Sequence, residues 1–328
     1  MADTPNINTG VDRSSLKIII SENYLNFAPD YMSFLAEWIT GTYKAFNDAD
    51  KYIILAYLFK KTVTFYTENF IKVSYDKFYK SDHLDIEKIN IVEIAKALGI
   101  PKETARRKVS ELEKSGVIKK KGKHLIIDKS AIKMVEPINT MKNLSNVFFV
   151  IYKICKKNNI IINDIQKEDI TNAMKSNLTF TWHHYYKFIF TWLYNWKKFF
   201  NNDTEKFIIW CIPMLHRANK MKSEKTLSNA SISSWRSNLE KIQTRGINTM
   251  SLSDITGIPR PTVTRKLKTL IQNRHLAMDN NKLIHPGDQG RYKDEMYEIQ
   301  NKALSEFSEF TSRIFNQVIF KTTSSTSK

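Results

Sequence analysis

The chain has 328 residues, more than one hydrophobic core usually organises, so two units are the starting expectation. Glycine and proline are scarce and 42% of residues are hydrophobic, which argues against disorder and for a mainly helical globular protein. The formal net charge of +18 draws polyanions, with nucleic acid and acidic lipid headgroups as the two obvious partners. The longest apolar runs, Tyr52–Phe59 and Val147–Ile154, fall well short of the roughly 20 residues a spanning helix needs. MADTPNINTG at the start lacks a basic stretch followed by an apolar one, so a cytoplasmic protein without a membrane partner is expected. Cys155 and Cys211 stand alone among apolar neighbours, the pattern of buried free thiols rather than of a disulfide or a zinc site.

Residues 1–15 read as a loose tail. An aromatic-rich helical segment follows at about 29–80, and then a compact motif at 89–127. In that motif Asn90 can cap a helix whose Glu93 reaches back, and Ile91, Ile94, Ala95 and Leu98 share one face. Gly99 supplies the left-handed residue that ends the helix, and Pro101 pushes Ile100 toward extended geometry, so the chain turns sharply. Ala105, Val109 and Leu112 form the buried face of a second helix, closed by Gly116, whose other side carries Lys102, Glu103, Arg106, Arg107 and Ser110. Val117-Ile118 and Leu125–Ile127 flank Lys119, Lys120, Lys121, Gly122, Lys123 and His124, which reads as a basic hairpin.

A helical stretch at about 130–158, interrupted at Pro137, leads to a second aromatic-rich segment at about 180–245. A second motif at 247–285 follows. There Ser251 with Asp254 offers a cap, Gly257-Ile258-Pro259 makes the turn, and Val263, Leu267 and Leu270 face inward. Arg260, Thr262, Thr264, Arg265 and Lys268 face outward, and Asp279-Asn280-Asn281 is a hairpin tip with fewer cations than the first. Leu304, Phe307, Phe310, Ile314, Phe315 and Val318 mark a last helix within 287–320, before a loose tail at 321–328.

The two motifs align without a gap at an offset of about 158 positions, matching Gly99-Ile100-Pro101, Thr104, Arg107-Lys108 and Leu112 to Gly257-Ile258-Pro259, Thr262, Arg265-Lys266 and Leu270. Upstream, Phe34, Trp38, Phe46-Asn47 and Lys51–Ile54 resemble Phe188, Trp192, Phe200-Asn201 and Lys206–Ile209. A duplicated unit of about a hundred residues explains both. The expected fold is mainly α with two small β-wings, built by internal duplication of a helical segment plus a helix-turn-helix. Its boundaries are 16–136 and 179–286, with a connecting helical segment at 137–178.

The residues from Ile94 to Ile118, followed by Gly122–Asp128, resemble bacterial winged helix-turn-helix regulators, most closely those of the cyclic-AMP receptor protein type, with the MarR and GntR types nearby. No Gly-rich, strand-alternating segment resembles that family's nucleotide-binding barrel, so cyclic-nucleotide sensing is not implied. The resemblance implies double-stranded DNA as partner, with Lys102, Glu103, Thr104 and Arg107 gripping it in the first motif and Arg260, Pro261, Thr262 and Arg265 in the second. From the exposed faces, Lys102, Glu103, Arg106 and Arg107, then Arg260, Thr264 and Arg265, are the expected base readers. Thr104 and Thr262 are expected phosphate ligands, and Lys119, Lys120, Lys121 and Lys123 would meet backbone or minor groove. Pro261 in place of Glu103 offers no polar group, so the halves should prefer different sequences, with recognition helices about 34 Å apart on an asymmetric site.

Three readings follow: a nucleoid-associated transcriptional regulator, a plasmid-type replication initiator with tandem winged helices, or a non-catalytic winged-helix assembly protein. The aromatic run Phe180–Phe200 is read as core or interface, with an effector pocket for an apolar or planar ligand as the alternative. Adjacent His183 and His184 would not share a metal, and Lys156-Lys157 and Lys197-Lys198 read as exposed helix positions. No Walker loop, GxSxG elbow, HExxH or dinucleotide fingerprint is present, so neither enzyme activity nor a cofactor is expected.

Overall fold

Asp12 starts the first helix, α1 (Arg13–Glu22), by accepting the backbone N–H groups of Ser14 and Ser15 at 2.8 and 2.9 Å. Leu16 and Ile20, one turn apart, are its buried face. This computed structural model describes residues 10–80, 83–86, 90–121, 124–128, 138–223, 231–239, 241–288 and 292–326. After α1 come α2 (Tyr24–Phe46), α3 (Ala49–Glu68), α4 (Tyr75–Lys80) and β1 (His83–Ile86). The helix pair α5 (Ile91–Leu98) and α6 (Lys102–Lys114) leads into strands β2 (Ile118–Lys121) and β3 (His124–Asp128), and α7 (Ile138–Lys157) closes the first half.

The second half repeats this order. It comprises α8 (Lys167–Ser176), α9 (Leu178–Phe199), α10 (Thr204–Ser223) and α11 (Ile232–Leu239). Then come α12 (Thr249–Thr256), α13 (Arg260–Gln272), β4 (Leu276–Met278), β5 (Ile284–Pro286) and α14 (Lys293–Thr326). The fold is mainly helical with two small antiparallel sheets, one ordered β1-β3-β2 and the other β4-β5. In the second sheet the place of β1 is taken by a single bridge between Ile247 and Ile284.

The core is one continuous cluster running through both halves, and its contacts are reciprocal. Helix α2 packs on α10 while α9 packs on α3, and α1 packs on α14 while α8 packs on α7. Individual rings follow the same rule at an offset of 154 positions. Tyr31 meets Phe188 at 6.1 Å and Phe34 meets Tyr185 at 6.5 Å, while Trp38 meets its own counterpart Trp192 edge to face at 6.2 Å. Within each half, Trp38 sits against Tyr52 as Trp192 sits against Phe207. The aromatic run Phe180–Phe200 thus supplies core: Trp182, Tyr185, Phe188, Trp192 and Trp196 are all buried. Each such ring removes a large apolar area from water, and offset or edge-to-face pairing adds about 0.5–1.5 kcal/mol beyond burial.

Several expectations are corrected here. Residues 10–15 are not a loose tail: Val11 is 3% exposed, its N–H donates to the Asn316 side chain at 2.7 Å, and its carbonyl accepts from Ser312. Residues 321–326 are not loose either, because α14 continues through Thr326. Lys197 is not an exposed helix position; it is 3% exposed and bonds Asp50 at 3.3 Å. Cys155 is buried, which pushes its thiol up to about 12, whereas Cys211 is half-buried. Pro137 lies outside the described residues. No helix among the described residues is long and apolar enough to cross a membrane.

Candidate nucleic-acid interface

Helix α5 begins where the Asn90 side chain accepts the Glu93 N–H at 2.7 Å. Glu93 does not complete the expected capping box. Its carboxylate instead takes the Tyr57 hydroxyl at 3.1 Å and Lys61 at 3.0 Å, which ties α5 to α3. Gly99 ends the helix at φ 61°, a left-handed conformation that glycine adopts without steric cost, and Pro101 stands at the entry to α6. Ala105, Val109 and Leu112 are buried, each such aliphatic burial stabilising by about 1.5–3 kcal/mol for the larger side chains. The opposite face is open: Lys102, Glu103, Arg106 and Arg107 are exposed and Thr104 is half-buried.

Those charges are arranged along the helix. Arg106 grips Glu103 in a two-point contact at 2.6 and 2.9 Å, and this bond holds the Glu103 carboxyl below its ordinary range. Arg107 reaches Glu111 at 3.3 Å yet keeps 60% of its side chain exposed. Lys51 in turn bonds Glu111 at 2.8 Å, and that contact lowers the Glu111 carboxyl.

The second motif is built the same way with one substitution of role. Asn248, not Ser251 with Asp254, caps α12, accepting the Ser251 N–H at 2.8 Å. An asparagine therefore caps both α5 and α12. Gly257 closes α12 at φ 75°, and Val263, Leu267 and Leu270 form the buried side of α13. Arg260, Thr264, Arg265 and Lys268 are exposed and Thr262 is half-buried. Thr264 gives its hydroxyl proton to the Arg260 carbonyl at 3.0 Å, leaving only its lone pairs facing out.

The wings differ. In the first, Lys119 is exposed and pairs across the hairpin with Asp128 at 2.6 Å. The side chains of Lys120 and Lys121, and Lys123 altogether, lie outside the described residues. In the second, Asp279 organises the tip by accepting the N–H groups of Asn281 and Leu283 at 2.9 and 2.8 Å. These bonds, the Leu283 one first and the His285 ring contact after it, hold the Asp279 carboxyl low.

Two residues outside the expected site do as much to position it. Lys108 on α6 turns inward to Asp48, the residue that caps α3, and Lys266 on α13 turns inward to Asp203 and Glu205 at the start of α10. Asp48 accepts the Asp50 and Lys51 N–H groups, as Asp203 accepts that of Lys206. Asp50 joins the two turns by accepting from the Thr204 hydroxyl at 3.2 Å and from Lys197. A chain of polar contacts thus runs from one outward-facing helix to the other, and α6 and α13 both contribute to one cleft of about 400 Å³ at that junction. The signal was visible in sequence as the Arg-Lys pair recurring at 107–108 and 265–266.

His183 and His184 occupy the aromatic core region. His183 bonds Thr64 at 3.2 Å and His184 stands edge-on to Phe180, and burial lowers both rings, His184 to about 4. Among the described residues no group of three His, Cys, Asp or Glu side chains is placed to hold a metal.

Residues 87–119, spanning α5, the turn, α6 and the start of β2, match the family described as winged helix-turn-helix DNA-binding. No curated protein and no solved structure matches the chain. The first half therefore carries a winged helix-turn-helix of the DNA-binding type, and DNA is the partner that domain implies.

Proposed function

We propose that the chain is a non-catalytic, sequence-specific regulator of double-stranded DNA, in which one polypeptide takes the place of a regulator dimer. The observation that carries this reading is the state of the two candidate recognition helices. Each turns a cationic face to solvent while its inward lysine, Lys108 or Lys266, is bonded to a turn of the shared core. A rigid pair of helices held in this way has its register fixed before it meets a duplex.

The reciprocal contacts support a duplicated unit with an approximate two-fold axis near Trp38 and Trp192, because residue i touching j′ while j touches i′ is the signature of an isologous interface. The duplication extends further toward the N-terminus than the sequence identities do. Helices α1 and α8 correspond at the same offset of 154, Leu16 to Ile170 and Ile20 to Met174, all four buried. Val11 and Ile165 each donate a backbone N–H to the last helix of the other half, at 2.7 Å to Asn316 and 3.0 Å to Tyr152. We therefore set the first unit at about 11–157 and the second at about 165–326, replacing a connecting segment at 137–178.

On this reading Lys102, Glu103, Arg106 and Arg107 read one half-site, and Arg260, Thr264, Arg265 and Lys268 the other, with Thr104, Thr262 and the first wing on phosphates. The halves are unequal because Pro261 stands where Glu103 does. Selection from random oligonucleotides with the purified chain, followed by footprinting, tests it. An asymmetric footprint with half-site centres about 10–11 bp apart is expected; protection confined to a single half-site at saturating protein would overturn it.

A further inference from the structure

We propose that the cavity enclosed by α2, α9, α10, α11 and α14 is a binding site for a flat, largely apolar molecule of one or two fused rings bearing a hydrogen-bond acceptor. The space leaves about 70 Å³ in which the centre of a water-sized sphere can move. Its wall is dominated by rings, among them Tyr24, Tyr31, Trp192, Trp196, Trp210 and Trp235, and it carries no charged side chain. Such a wall favours planar apolar ligands and rejects ions, whose desolvation nothing there would offset. One polar group is left over: the Trp210 indole N–H is buried without a partner, and Trp210 is itself only 4% exposed. A buried donor of this kind gains from any ligand that brings an acceptor to it.

The two halves of the molecule show why the space exists. This step rests on the duplicated reading above. Position 36 is alanine, whereas its counterpart at the 154-residue offset is Phe190, and the counterpart of Met32 is Tyr186. Phe190 is buried and packs against the rings of Tyr57 and Tyr186 at 6.3 and 6.0 Å, so the corresponding place in the other half is filled by side chain. An empty cavity costs stability in proportion to its volume, and the chain already has the residue that would close it. The half with alanine keeps open a space that its twin has closed.

The test uses quinoline, which has a ring-nitrogen acceptor, and naphthalene, its near-isostere without one, titrated against the full chain without DNA and followed by calorimetry and thermal unfolding. Quinoline should bind saturably and raise the unfolding temperature, with naphthalene about tenfold weaker. Trp210→Phe should bring the two probes to similar affinity. Ala36→Phe should abolish quinoline binding while leaving the free protein at least as stable; should that variant fail to fold, Met32→Tyr, which copies Tyr186, replaces it. Absence of saturable quinoline binding, binding unchanged in the filled variant, or equal affinity for both probes overturns the proposal. Because no DNA is present, this outcome is independent of the regulator reading.

Discussion

On α6 the guanidinium groups of Arg106 and Arg107 lie against Glu103 and Glu111, whereas on α13 the counterparts of those two carboxylates are Pro261 and Thr269. Among the described residues Arg260, Arg265 and Lys268 form no ion pair. The wings diverge in parallel: the first presents Lys119 from a three-stranded sheet, and the second closes around Asp279 on a two-stranded one. A paired arginine loses less side-chain freedom when it docks, and the neighbouring carboxylate repels misplaced phosphate, so α6 is suited to discrimination. The unpaired cations of α13 suit grip. The two helix pairs share a backbone geometry and differ in how their cations are paired.

The comparison is broken most directly through the core. Leu112→Ala and Leu270→Ala each remove a side chain that is 1% exposed at matching positions, and each should cost about 2–5 kcal/mol in denaturant unfolding. Because the units interlock, both variants should unfold in a single transition seen equally by far-ultraviolet dichroism and tryptophan fluorescence. A second transition appearing in either variant would mean that the units fold independently. Asp50→Asn tests the junction. It leaves the Lys197 ammonium buried without its carboxylate, and a loss of roughly 3 kcal/mol is expected, with Lys197→Met costing less because it removes the charge itself.

How much of this could be read from the chain alone depends on what each residue does. The inward faces Ala105, Val109, Leu112 and Val263, Leu267, Leu270 were legible because helical periodicity reports burial within one element. The glycine at each turn was legible because a left-handed residue restricts the choice of amino acid. The correspondence proposed between α1 and α8 was not: Leu16 and Ile170 share only apolarity, and what they pack against belongs to the other half of the chain. Lys197 resembled a surface lysine because its partner, Asp50, lies far away in sequence. The strand β1 was missed because its four residues pair with β3 across the whole of the helix-turn-helix.

Recognition itself sharpens the comparison next. Arg107→Ala and Arg265→Ala should each relax discrimination at a different position of the selected site by about 1–3 kcal/mol, measured by competition with single-base variants. An equal loss on every sequence would reassign that arginine to phosphate. Acid separates the units in another way. His275 is buried at the base of the second wing, where the first unit has Val117, and burial, with a lesser push from Lys206, lowers its ring to about 4. The folded protein therefore keeps this ring neutral while the unfolded chain takes up a proton below its ordinary value of 6.5, so stability falls as pH drops from 6.5 toward 4. His275→Val should flatten that decline by about 2–4 °C in unfolding temperature, leaving the share that comes from His183 and His184.

The wings carry the smallest expected effect and the cleanest contrast. If Lys119 neutralises a phosphate, Lys119→Ala should weaken binding uniformly across sequences and lower the slope of log affinity against log salt by about 0.9, one contact's worth of released counterion. Its pairing with Asp128 makes the outcome informative, because freeing that carboxylate beside the duplex adds repulsion to the lost attraction. Asp128→Asn should therefore raise affinity slightly with the slope unchanged. Asn280→Ala, at the exposed tip of the second wing, should change neither quantity. A uniform loss of affinity there would show that both wings engage phosphate, and the division of labour would then rest on α6 and α13 alone.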